Sequence, residues 1–213
     1  MDKIFKTSVF IAIISFIYSC NTTDGAYVNL NDKNELERPL DYRSWIFAGT
    51  STTPAELNPG MDGFSDFQNI YIDPISFEFW KNKGYFREGT IIVKEIIAAS
   101  EETNLPIGKT YLQAQVLRLS AMIKDTTRFP DAPGGWEYFS YTNEDGTFKK
   151  YSNPIGNKGC IACHKLTNEG SGPFVEHHMI LREARGFGNG NPENLDDRSI
   201  LPSHNIKLLR DLK

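Results

Sequence analysis

Residues 67–98 read FQNIYIDPISFEFWKNKGYFREGTIIVKEIIA, and this stretch decides the class of fold. Phe67–Ile72 is apolar and β-branched and stops at Asp73-Pro74, as a strand running into a turn does. Pro74 suits the first position of a helix, where its missing N–H costs nothing, and Asp73 suits the N-cap before it. Ile75–Asn82 then reads as a short helix with Gly84 as its stop. Thr90–Ala98 is rich in isoleucine and reads as a second strand. On that strand Thr90, Ile92, Lys94, Ile96 and Ala98 share one face, and Glu95 points the other way. Farther along, Tyr111–Lys124 reads as one long strand or two short ones, and Gly135–Thr142 as another. Phe174–Arg185 reads as a helix stopped by Gly186, and Ile206–Leu212 as a short helical candidate. Strand and helix signals alternate irregularly, with no internal repeat, so the expected class is α+β in a single domain.

Composition agrees with one packed core: 213 residues, 39% hydrophobic and 12% aromatic. The net charge of −4 argues against a nucleic-acid partner, which would call for a basic patch or excess. The chain starts with Lys3 and Lys6, followed by the apolar run Val9–Tyr18. That run is too short to cross a bilayer, which takes roughly 20 apolar residues. A basic start, a short apolar stretch and a lone Cys20 behind Ser19 read as a lipoprotein signal peptide over residues 1–19, with Cys20 lipidated. The protein is therefore expected to be exported, anchored in a membrane by lipid and facing the periplasm or cell surface. Residues 20–40 read as a polar tether, 41–188 as the functional domain and 189–213 as a polar tail.

The chemistry lies in Cys160-Ile161-Ala162-Cys163-His164. This is C-x-x-C-H, the attachment pattern of c-type haem, which composition alone would produce about 0.0008 times in such a chain. Two thiols three residues apart lie on one side of a helical turn and can each add to a haem vinyl, and the next imidazole can then reach the iron. A thioredoxin-like pair would need a βαβ context, and a zinc site would need more ligands. The expected cofactor is one covalently attached haem c, with His164 as the proximal iron ligand. Candidates for the sixth iron position are Met61, Met122, Met179, His177, His178 and His204. His177 and His178 fall on one expected helix, where neighbours point about 100° apart, so at most one faces inward. Met122 lies in an apolar strand, where packing is its ordinary role.

Over about residues 41–185 the chain resembles the cytochrome P-460 family. The likeness rests on Tyr42-Arg43-Ser44-Trp45, Gly49-Thr50, Phe67–Pro74, Phe79-Trp80, Lys83-Gly84, Phe86-Arg87-Glu88-Gly89-Thr90 and Val93-Lys94-Glu95. It continues through Lys124-Asp125, Arg128-Phe129, Gly135-Trp136, Tyr138-Phe139 and Cys160–His164 to Phe174. The resemblance implies an exported mono-haem protein, often a homodimer, with a five-coordinate haem packed against an antiparallel sheet flanked by helices. In hydroxylamine-oxidising members a lysine is bonded to a meso carbon of the porphyrin, and the family pattern places that residue at Lys94. A lysine amid isoleucines fits such a use, because burial raises the neutral, nucleophilic fraction of its amine.

The oxidising members also carry a distal glutamate that serves as a base. Matching the strand around Ser120-Ala121-Met122 puts this chain's Ser120 at that position. A serine hydroxyl relays protons or binds water but is no base at neutral pH. Relatives called cytochromes c′-β share the fold, lack the cross-link and bind nitric oxide or carbon monoxide without turnover. The chain therefore reads as an oxidoreductase for hydroxylamine or a similar small nitrogen species, or as a gas-binding relative. A low-spin electron carrier is a third reading, and a redox partner cytochrome would suit the first. Glu95 points away from Lys94, whereas Glu101 and Glu102 remain candidate bases. Phe64, Phe67 and Tyr71 are candidate pocket walls or ordinary core.

Overall fold

The computed structural model describes residues 27–54, 66–103, 105–156, 159–164 and 172–184. The signal segment, Cys20, Met61, Phe64, His204 and the tail after residue 188 lie outside them. The strands are β1 (Leu36–Glu37), β2 (Ile46–Ser51), β3 (Phe67–Ile72), β4 (Ile91–Glu102), β5 (Thr110–Lys124), β6 (Trp136–Ser140) and β7 (Tyr151–Ser152). The helices are α1 (Pro74–Lys83), α2 (Cys160–His164) and α3 (Met179–Glu183). Strands β2 to β6 form one antiparallel sheet in sequence order, and β1 pairs with β7 apart from it. This is the α+β arrangement of an antiparallel sheet with a few flanking helices.

Local chemistry sets the elements as the sequence implies. Asp73 caps α1: one carboxylate oxygen accepts from the Ser76 amide at 2.8 Å, and the other accepts from the Ile91 amide at 3.0 Å. One buried side chain thus starts the helix and ties it to β4. Gly84 ends α1 in the left-handed conformation, φ 81°, which costs a glycine little.

The alternation of β4 divides the core in two. Ile91 and Val93 face Leu119, Ala121, Ile123 and Phe139, together with Leu36, Tyr42 and Trp45 from the N-terminal segment. Ile92 faces the other side, with Ile70, Ile72, Met122 and Tyr138, and is covered by Trp80, Ile161 and Leu181 from the three helices. The Trp80 indole donates to the Leu181 carbonyl at 2.7 Å and joins α1 to α3.

Three features differ from the sequence reading. Residues 27–40 are not a free tether: Leu36 is fully buried, and β1 pairs with β7, so the packed unit starts before residue 41. The apolar side chains in this polar-looking segment cover one face of the sheet. The expected helix over 174–185 is a 3-10 turn at Val175–His177, a break at His178, and α3. Residues 46–51, read as no element, form the edge strand β2.

Candidate haem site

The C-x-x-C-H pentad is the single turn α2, and it lies on the Lys94 side of the sheet. Ile161, only 1% exposed, packs in one cluster with Ile92, Met122 and Tyr138 and so seats the turn on the sheet. Cys160 is half-buried and Cys163 exposed, and neither is in a disulfide. Burial raises the Cys160 thiol pKa, and the nearby Lys94 amine opposes that rise.

His164 is held from three directions. Its ring meets Tyr138 at 4.9 Å and Phe174 at 4.7 Å between centroids. Its Nδ1 lies 2.9 Å from the Gly172 carbonyl oxygen. A carbonyl only accepts, so Nδ1 carries the proton and Nε2 keeps the lone pair that a metal requires. Burial also lowers the ring's pKa, which favours the neutral form.

Lys94 lies mid-sheet on the same side. Across the strands it stands in the row Ile70–Lys94–Ser120–Ser140. Its side chain is half-buried. Desolvation lowers its pKa, and the neighbouring Cys160 and Cys163 thiols offset part of that shift. The amine thus feels both thiols of α2. Ser120 is directly opposite Lys94, its hydroxyl 3.5 Å from the Lys94 carbonyl oxygen, at the long end for a hydrogen bond. The sheet positions around Lys94 on this face are Ile70, Ile92, Ile96 and Ser120, none of them acidic.

Other sequence candidates sort cleanly. Glu95 is on the far face, where it accepts hydrogen bonds from Tyr42, Arg43, Asn69 and Tyr71. Glu101 and Glu102 belong to β4 itself, seven and eight residues past Lys94, or about 23–26 Å along an extended strand. Glu101 pairs there with Lys109 at 3.7 Å. Distance removes both as bases for a site at Lys94. Phe67 and Tyr71 pair with Ile97 and Val93 on the Glu95 face, so neither walls the site. Met122 is core, and Met179 is exposed.

His177 is exposed, but His178 is half-buried on the site's side. Burial pushes its pKa down to about 4, with the positive charges of His177, Lys94 and His164 adding to the shift. Its Nδ1 lies 3.8 Å from where a Cβ on Gly49 would stand. Sequence had left the two histidines equivalent, and the break before α3 distinguishes them. The Gly172 carbonyl had no sequence signal, because a backbone acceptor leaves none.

The donor set fits haem c: two thiols on one turn, one imidazole with its lone pair on Nε2, and an apolar sheet face beside them. Among the described residues no three His, Cys, Asp or Glu side chains converge as a chelating set. Fold and site together define the class, a haem-binding protein built on an antiparallel sheet. The sequence model described as Cytochrome P460 matches residues 39–172, well over half of the chain. The chain therefore belongs to the cytochrome P460 family and is a c-type haem protein of that family. A search of curated proteins returned no match.

Proposed function

We propose that the protein oxidises hydroxylamine or a closely related small nitrogen species at a single haem. In this reading the haem is held by Cys160 and Cys163 as thioethers, ligated by His164 and joined to Lys94. The observation that carries it is the placement of Lys94 on the same sheet face as Ile92 and Met122, against which Ile161 of the pentad packs. The haem would supply electron transfer and an open coordination position. The chain's own residues do the rest. Gly172 fixes the tautomer of His164, Tyr138 and Phe174 fix its ring, and burial raises the neutral fraction of the Lys94 amine. Export, a lipid anchor at Cys20, a homodimer and a redox partner cytochrome complete the reading.

The optical spectrum of the ferrous holoprotein tests it. A strongly red-shifted Soret band is expected, and Lys94→Ala should return an ordinary c-haem spectrum. An unchanged spectrum in that variant removes Lys94 from the site. A second reading, a nitric oxide or carbon monoxide binder without turnover, is favoured by Ser120, which puts a hydroxyl where the oxidising members have a carboxylate. Nitrous oxide production from hydroxylamine with an electron acceptor separates the two readings.

A further inference from the structure

We propose that His178 is the ligand-side histidine of this site, a hydrogen-bond donor to a small nitrogen or diatomic ligand bound opposite His164. The proposal rests on the haem reading above and adds a residue to it.

His164 and His178 approach the same sheet face from opposite edges. His164 packs on Tyr138 of the edge strand β6, and His178 lies against Gly49 of the other edge strand, β2. Between them run β3, β4 and β5, which carry Ile70, Lys94 and Ser120 in one row. Lys94 stands between the two imidazoles in the row Gly49–Ile70–Lys94–Ser120–Ser140, on the sheet face that both of them approach.

Among the described residues the side chain of His178 has no structural duty that would explain its burial. Among the described residues its imidazole makes no hydrogen bond. Its backbone does the local work, the amide donating to the Val175 carbonyl and the carbonyl accepting from the Arg182 amide. It stands at the N-cap of α3 without a side-chain cap, where Ser or Asp would serve better. A half-buried polar ring without a partner calls for an explanation, and a ligand's acceptor atom supplies one. The ring sits over Gly49, where a Cβ would stand at an ordinary contact distance of 3.8 Å from Nδ1, and fully buried Leu181 with the Trp80 bond fixes the helix that follows.

The contrast with His164 decides between donating to a ligand and binding iron. Ligating histidines are backed at their second nitrogen, as Gly172 backs His164. His178 has no such backing among the described residues, so it is assigned as a donor rather than as the sixth ligand.

The test compares wild-type holoprotein with His178→Phe and His178→Gln. Ferric protein is titrated with azide, and the carbon monoxide stretching frequency is recorded on ferrous protein. His178→Phe should weaken azide about tenfold, the worth of one hydrogen bond in a dry site, and raise the stretching frequency. His178→Gln, which keeps an N–H donor, should recover part of both. Haem-to-protein ratio is measured throughout. Unaltered azide affinity and frequency in fully loaded His178→Phe overturns the proposal and leaves the haem reading standing. So does a low-spin resting spectrum that turns high-spin in that variant, because it makes His178 a ligand. A wild-type chain that takes up no covalent haem overturns both.

Discussion

Glu95→Gln should lower stability by about 2 kcal/mol at neutral pH, through a network on the face away from the haem site. The wild-type carboxylate is 1% exposed. One oxygen accepts from Tyr42 Oη at 2.6 Å and from Arg43 Nε and Nη2 at 3.0 and 2.9 Å. The other accepts from Asn69 Nδ2 at 3.1 Å and Tyr71 Oη at 2.9 Å. Glutamine retains one acceptor oxygen, which the guanidinium of Arg43 claims because it cannot accept. The new amide nitrogen then meets the Asn69 amide, which is committed to Gln113 by two bonds of 3.2 Å. One donor faces a donor, and the bonds from Tyr42 and Arg43 lose charge assistance, for a sum of about 2 kcal/mol. Urea unfolding of the holoprotein, followed by far-ultraviolet dichroism, reads this as a midpoint lower by about 1 M at a slope of about 2 kcal/mol/M. The pH dependence fixes the cause. Burial raises the Glu95 pKa, but the hydrogen bonds from Tyr42, Asn69, Arg43 and Tyr71 outweigh it, so the folded value lies below the ordinary 4.5. The carboxylate's contribution is thus complete above pH about 4.5 and is lost as pH falls through the folded value. The gap between wild type and variant should close over that window. A midpoint within about 0.2 M of wild type at pH 7, or a gap that survives acidification, would refute the reasoning.

Other outcomes follow from single contacts. Leu36→Ala should cost about 3 kcal/mol, read by thermal unfolding, because Leu36 is fully buried; a change below about 0.5 kcal/mol would return residues 27–40 to a tether. Trp80→Phe keeps an aromatic ring against Phe86 but removes the donor to Leu181, at about 1 kcal/mol, and amide exchange should speed up over residues 179–184. Ser120→Glu puts a carboxylate across from Lys94 and should raise nitrous oxide production from hydroxylamine; no increase would remove that position from proton transfer.

Local chemistry was legible where one residue type has one use. Asp73, Pro74 and Gly84 bound α1 as read, and the isoleucine alternation put Lys94 and Glu95 on opposite faces. The pentad was legible because its spacing is its chemistry. What escaped depends on distant partners. β2 is an edge strand with small residues and a register slip at Phe47/Gly49, so it lacks the alternating pattern that marks a half-buried strand. β1 and β7 are two residues each and exist only through each other. The helical periodicity across 174–185 was real, but the chain breaks at His178 (φ −110°, ψ 101°), and only this break separates one histidine from its neighbour.

The sheet's strand order has a consequence for how the protein is assembled. β2 to β6 pair only with their neighbours in the chain, so each pairing closes a short loop and the platform can zip up in sequence order. Both thiols and His164 come after the last of these strands, on a segment that contributes no strand to the sheet. The pairings of the platform therefore do not include the C-x-x-C-H turn, which rests on the finished face through Ile161. A chain in which the sheet has formed and this turn has not yet packed would present both cysteines to an attachment step beside a surface already shaped to receive them.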